Sequence, residues 1–290
     1  MADKTYPQFF CGLGFPKTGT TWLAHYLGNR SDTFMLTGMK ELQVFNRRFR
    51  ADLYEYMDSL IAENLVRTTN RLISKRSNIG QLAEKTALIA EALALPHHPD
   101  PKYMMRAYRR LFRGRLEPEH LAFGEFSTTY CLLPTEGLRL LETAFPNTLY
   151  IIILRDPTSR FWSHVKHQIR IRENFDPLTQ YEDMFQEPEL CEMADYRTVI
   201  SNIQSVIPSE RIHYAIYEDL FVQHEEEALR GITNFLGIPY IPANLDEIVY
   251  QGVSTPMPDK FITMAMEKFQ DSYLFGTELF GKMPKHWGEH

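Results

Sequence analysis

Cysteine is scarce in this chain: Cys11, Cys131 and Cys191 are the only 3 among 290 residues. An odd number at wide spacing builds neither a disulfide framework nor a CxxC metal knuckle, which points to a reducing compartment. Long hydrophobic runs are lacking as well. No stretch approaches the roughly 18 uninterrupted apolar residues of a transmembrane helix. The opening residues, Met1 to Pro7, carry neither the basic nor the apolar block of a signal peptide, so a cytoplasmic protein is expected. Positive charge is in the minority, with 31 Lys and Arg against 37 Asp and Glu, for a net charge of −6. That balance argues against a nucleic-acid partner but leaves room for a local anion site. The histidines form no HExxH motif, and no metal is expected.

What is present reads as an ordinary globular chain, 44% hydrophobic and 23% charged. Phe9 to Leu13 is a short apolar run, ended by Gly14-Phe15-Pro16-Lys17-Thr18-Gly19-Thr20. Trp22, Leu23, Tyr26 and Leu27 then share a helical face, with Gly28-Asn29 as a stop. Strand, loop and helix are the opening of a βαβ unit. Leu149 to Leu154 is continuously apolar, as a central parallel strand covered on both faces requires. Ile212 to Tyr217 reads as a third strand, followed by a helix from about His224 to Leu236. Residues from about 51 to 122 read as a helical insertion. Its helical positions are Leu53, Tyr56, Met57, Leu60 and Ile61, then Ala87, Ala90, Leu93 and Ala94, then Tyr103 to Leu111. Loops are expected near Asn78-Ile79-Gly80 and Pro96-His97-His98-Pro99. Arg106, Arg109, Arg110, Arg113 and Arg115 read as solvated helix faces, with an anionic-substrate patch as the alternative. The expectation is one α/β domain over 1–290, a parallel sheet flanked by helices with a mostly helical insertion.

The first βα loop carries the most chemistry. Lys17-Thr18-Gly19-Thr20-Thr21 stands between a buried strand and a helix start. Backbone N–H groups and the helix dipole favour an anion there. Gly19 permits close backbone approach, Thr20 and Thr21 offer hydroxyls, and Lys17 adds a charge. The loop is not a Walker A motif, whose lysine directly follows the last glycine; here the lysine precedes Gly19 by two positions. The second segment is Arg155-Asp156-Pro157-Thr158-Ser159-Arg160-Phe161-Trp162-Ser163. Arg155 ends a central strand, where open α/β sheets bind ligands. Asp156 suits a helix cap and Pro157 the first turn. Arg160, Ser163 and His167 fall on one polar stripe, while Phe161, Val165 and Ile169 can face the core. Arg155 with Ser163 makes a second anion site, so a nucleoside bearing two phosphate groups fits.

These residues carry a resemblance. Pro16-Lys17-Thr18-Gly19-Thr20-Thr21-Trp22 resembles the 5′-phosphosulfate loop of sulfotransferases that use 3′-phosphoadenosine 5′-phosphosulfate (PAPS). Arg155 and Ser163 match that family's 3′-phosphate motif, Arg-Asp-Pro-x-x-Arg-x-x-Ser. Weaker similarity continues to about residue 255 through Tyr217-Glu218-Asp219-Leu220 and Phe235-Leu236-Gly237-Ile238. Lys40-Glu41-Leu42-Gln43-Val44-Phe45-Asn46 resembles the Lys-Glu-x-His-Phe-Phe-Asp segment of heparan sulfate-type enzymes. There Gln43 replaces the histidine and Asn46 the aspartate. Gly124-Glu125-Phe126-Ser127-Thr128-Thr129-Tyr130 resembles Glu-Lys-[Ser/Thr]-Pro-x-Tyr, with Phe126 for the lysine and Thr128 for the proline.

The resemblance implies a P-loop-type sheet and a soluble, bacterial-type enzyme. It implies PAPS as donor, adenosine 3′,5′-bisphosphate as product, and a small-molecule, lipid or glycan acceptor, its pocket formed in part by the insertion. Lys17, Thr18, Gly19, Thr20, Thr21 and Trp22 would hold the donor, with Arg155, Ser163 and Gly252. Lys17 would contact the leaving oxygen, and Glu41 would take the acceptor's proton. His164 and His167 are the reserve proton acceptors. The competing readings are a P-loop small-molecule kinase and an inactive nucleotide-binding protein.

Overall fold

The computed structural model describes residues 7–36, 41–50, 52, 66, 70, 73, 79–243 and 254–290. Strands, and helices of nine residues or more, run in this order: β1 (Gln8–Gly14), α1 (Thr20–Gly28), β2 (Thr33–Met35), α2 (Ile79–Ala94), α3 (Pro101–Arg113), β3 (Ala122–Phe126), α4 (Thr135–Ala144), β4 (Leu149–Leu154), α5 (Pro157–His167), α6 (Tyr196–Gln204), β5 (Ile212–Ile216), α7 (Glu226–Phe235), α8 (Asp259–Lys268) and α9 (Gln270–Phe280). The strands form one sheet in the order β2-β3-β1-β4-β5. Every pairing is parallel.

The apolar run Leu149–Leu154 sits where its composition requires, with β1 on one side and β5 on the other. Tyr150, Ile152 and Leu154 point to one face of the sheet, where residues of α2, α3, α4, α6 and α9 cover them. Ile151 and Ile153 point to the other face, under α1 and α7. A fully covered strand can therefore be apolar at every position. In β1, Phe9, Cys11 and Leu13 face the first layer and Phe10 the second. Gly12 lacks a side chain because the Phe126 ring fills that space; a Cβ there would come within 1.9 Å of it. A third cluster packs α5 against α8 through Phe161, Trp162, Val165, Phe261 and Ala265.

The structure departs from the expected elements at several points. β2 and β3 were not anticipated as strands. β2 is only 3 residues long, and the buried Glu125 interrupts the apolar pattern of β3. The third expected strand ends at Ile216, because Tyr217 begins the short helix Tyr217–Phe221. Ile79 and Gly80, expected in a loop, begin α2. Its inward face is Leu88 and Ala92, whereas Ala87, Ala90 and Ala94 are exposed. Alanine is small enough to occupy either face, so its spacing fixed the helix but not its rotation. Leu53, Tyr56, Met57, Leu60, Ile61 and Asn78 lie outside the described residues, as does the side chain of Leu93.

Of the arginines in and just after α3, Arg106, Arg110 and Arg113 are exposed, as a solvated face requires, while Arg109 and Arg115 are half-buried. Arg109 donates to the Thr143 and Ala144 carbonyls at the end of α4. Arg110 pairs with Glu91, Arg113 lies over the Phe145 ring, and Arg115 donates to the Leu111 carbonyl. Arg106 remains exposed. Among the described residues, no helix is long and apolar enough to cross a membrane.

The strand order sets the site. From β1 the chain moves by α1 to β2 on one side, and from β3 it crosses to β4 on the other. β1 and β4 thus flank a topological switch point, the place where open parallel sheets leave a crevice beyond their carboxyl ends. The Lys17 loop follows β1, and Arg155 follows β4.

Candidate active site

The loop after β1 turns sharply. Lys17 and Gly19 both adopt left-handed backbone, with φ of 71° and 78°. Gly19 is the residue at the cap of α1, and no side chain caps that helix. The Phe221 ring packs on Gly19, where a Cβ would come within 2.2 Å of it. The Thr18 hydroxyl donates to the Phe15 carbonyl at 2.7 Å, so this side chain fastens the loop from within. Thr20 is buried, and Thr21 and Lys17 are half-buried. Trp22 stacks flat on Tyr26, with ring centroids 5.5 Å apart, and meets Phe221 edge-on. With His25, Tyr26, Asn29, Arg30 and Ile241 it lines a pocket of about 460 Å³.

Arg155 connects this loop to the second segment. Its Nη1 donates to the Lys17 carbonyl at 3.1 Å, and its guanidinium lies 4.1 Å from the Tyr217 ring centroid. Its Nε is buried with no hydrogen-bond partner. Asp156 caps α5 by accepting from Ser159 N at 2.6 Å, with Pro157 in the first turn. Ser163 is half-buried one and a half turns further along α5. Arg160 is not on a solvated stripe. It is completely buried, reaches the Leu190 carbonyl at 3.5 Å, and leaves Nε and Nη1 without a hydrogen-bond partner. Burial pushes its pKa down.

His164 and His167 lie within electrostatic reach of Lys17. Burial lowers the His164 pKa well below the usual value, and the nearby Lys17 charge lowers it further. The same two causes bring His167 down to about 3. Both rings are therefore neutral and weakly basic at neutral pH, which counts against either as a proton acceptor.

Glu41 stands at the end of β3. Its N–H donates to the Phe126 carbonyl at 2.9 Å, and its backbone is left-handed with φ of 69°. Its carboxylate accepts from Thr128 N at 2.7 Å, from the Thr128 hydroxyl at 3.0 Å and from Gln43 Nε2 at 2.9 Å. Thr128 stands where the related motif has proline, and proline has no N–H to give. Gln43, in the place of the histidine, also accepts from the Thr129 hydroxyl at 2.6 Å. Asn46 donates to the Thr129 carbonyl. The departures from the related motifs thus form one hydrogen-bonded unit around Glu41. The Phe126 side chain takes no part and faces the core beside Gly12. Lys40 and Gly252 lie outside the described residues.

Sequence reasoning passed over the groups behind these residues. Glu125 is fully buried, accepts from the Tyr108, Tyr130 and Ser127 hydroxyls, and is pushed up to about 7 by burial. The available signal was a lone carboxylate set in the apolar run Ala122 to Phe126. Tyr196 donates from its hydroxyl to the Arg155 carbonyl at 2.7 Å, and Glu218 accepts from Asp156 N at 3.0 Å. No local pattern joins those residues to Arg155.

Fold and site together define an α/β protein that brings Lys17 and Arg155 together at the switch point of a parallel sheet. The description of the sulfotransferase family matches residues 8–242, and the chain belongs to that family. Solved structures share the fold. A sulfotransferase from Alicyclobacillus acidocaldarius is 19% identical, with 98% of this chain and 99% of that one covered and a TM-score of 0.63. The sulfotransferase domain from the curacin biosynthetic pathway is 22% identical over 82% of this chain and 76% of its own, with a TM-score of 0.54. That of the Synechococcus PCC 7002 olefin synthase is 16% identical over 92% and 96%, with a TM-score of 0.50. A comparison with curated protein sequences finds no match.

Proposed function

We propose that the protein moves a sulfuryl group from PAPS to a hydroxyl or amine of a small-molecule, lipid or glycan acceptor. One observation carries this reading: Arg155 Nη1 binds the Lys17 carbonyl across the switch point, so two cationic segments share one crevice. The residues present fit such a donor. The helix start at Gly19 has no side-chain cap, and Arg155 has a buried Nε without a partner. Thr20, Thr21 and the loop amides would hold the 5′-phosphate, with Thr18 keeping the loop in shape. Arg155 and Ser163 would hold the 3′-phosphate, joined by Gly252, and Trp22 would lie against the base. When bound, PAPS supplies the sulfuryl group and departs as adenosine 3′,5′-bisphosphate.

Lys17 would place its ammonium against the oxygen that gains charge, which favours the transition state over the ground state. Glu41 would accept the acceptor's proton, with Thr128 and Gln43 holding its carboxylate in place. The helical insertion would shape part of the acceptor pocket. The scheme assigns no role to a metal. Incubation with radiolabelled PAPS and a metabolite extract should label an acceptor, while ATP with magnesium should give no turnover. Turnover of ATP without sulfuryl transfer would establish the kinase reading. Binding of adenosine 3′,5′-bisphosphate without any transfer, across extracts, would establish an inactive binding protein.

A further inference from the structure

Beyond residues 8–242, which the family description covers, the chain folds back onto the strand ends. Trp287 is buried against α9 and α6. Gly276 of α9 makes room for its indole; a Cβ there would come within 2.3 Å of the ring. The rings of Tyr196 and Tyr273 flank it, each with a centroid 6.1 Å away. Trp287 Nε1 donates to Glu218 Oε2 at 3.0 Å, and Glu218 Oε1 accepts from Asp156 N at 3.0 Å. One residue on, Gly288 N donates to Asp156 Oδ2 at 2.9 Å. The Tyr273 hydroxyl donates to the same oxygen at 2.8 Å.

These contacts converge on a single peptide unit. The Arg155 carbonyl accepts from Tyr196, and the N–H of the same peptide, on Asp156, donates to Glu218. Trp287 touches both of those partners. An arginine that recognises phosphate must be held to within a fraction of an ångström, and its own long side chain cannot provide that. We infer that Trp287, with Gly288, is a positioning element for Arg155, holding the Arg155–Asp156 peptide so that the guanidinium meets a 3′-phosphate. The inference rests on the donor reading given above.

Calorimetry on the full chain with adenosine 3′,5′-bisphosphate and with AMP tests it, because only the first carries a 3′-phosphate. Trp287→Ala should weaken the bisphosphate about tenfold, or roughly 1.4 kcal/mol, and change AMP less than about twofold. Trp287→Phe keeps a ring but loses the Glu218 hydrogen bond, and should fall between. A purely structural role would weaken both ligands in parallel. Binding coupling is reciprocal. In the wild-type protein the bisphosphate, and not AMP, should therefore slow amide exchange in peptides covering 281–290. This second arm decides the question if Trp287→Ala does not fold. Unchanged discrimination in a folded Trp287→Ala, or exchange that ignores the bisphosphate, would overturn the positioning role and leave the donor reading intact. Equal wild-type affinity for the two nucleotides would instead overturn the donor reading, and the inference with it.

Discussion

The β1–β4 side of the cleft and the Glu41 side are built by different means. On the first, a loop of consecutive residues and the first turns of α5 supply the polar groups, and the strands aim them. On the second, a segment more than 80 residues away holds Glu41 directly through Thr128, and through Gln43, which Ser127 and Thr129 bind. The first arrangement depends on glycine at one position and a strand order; the second depends on which polar groups face each other. A local arrangement tolerates little change of residue type. In the tertiary network the two residues that depart from the related motifs, Gln43 and Thr128, both donate to the Glu41 carboxylate.

Glu41→Gln should break the contrast most sharply. It keeps the shape but removes the base, so turnover should fall about 10²–10⁴-fold while bisphosphate affinity by calorimetry stays put. Near wild-type turnover would remove Glu41 from the chemistry. On the opposite side, Lys17→Ala should lower kcat by about 10²–10³ with a much smaller change in bisphosphate affinity. Equal losses in both would make Lys17 a ground-state anchor.

Glu125→Gln addresses the network behind Glu41 through pH. The folded pKa, about 7, lies above the ordinary 4.5. Its contribution to stability is fully present below about pH 4.5. It is lost as pH rises through about 7, because the folded state holds the proton longer. Urea unfolding at pH 5 and pH 8 should show wild type losing more stability than Glu125→Gln, by on the order of a few kcal/mol. Parallel losses would place its ionisation outside this window. Arg155→Ala should weaken adenosine 3′,5′-bisphosphate by about 1.5–3 kcal/mol in calorimetry and leave AMP nearly unchanged.

The same contrast explains what was legible beforehand. β1, β4 and the cap at Asp156 could be read because their signals are local: an apolar run, a strand-ending glycine, Asp-Pro before a helix. β3 was missed because Glu125 is buried within it, and its partners come from α3 and the turn after the strand. Arg160 fell on a polar stripe by spacing, yet it is completely buried and reaches the Leu190 carbonyl, while Ser163 and His167 of that stripe are only half-buried. Trp287 could not be connected to Arg155 at all, since only the docking of α9 brings them near.

The strand order also has a cost in time. Phe10 of β1 pairs with Phe123's neighbour Gly124 on one side and with Leu149 on the other. At roughly 5–20 residues per second on the ribosome, the β1 strand waits on the order of ten seconds for its β4 partner to be made. Contacts this distant along the chain also slow folding itself, because loop closure must precede their reward. Phe9, Phe10 and Leu13, all buried in the folded chain, are therefore made well before β4 can cover that edge of β1, and the segment that leads into the Lys17 loop waits uncovered there for that interval.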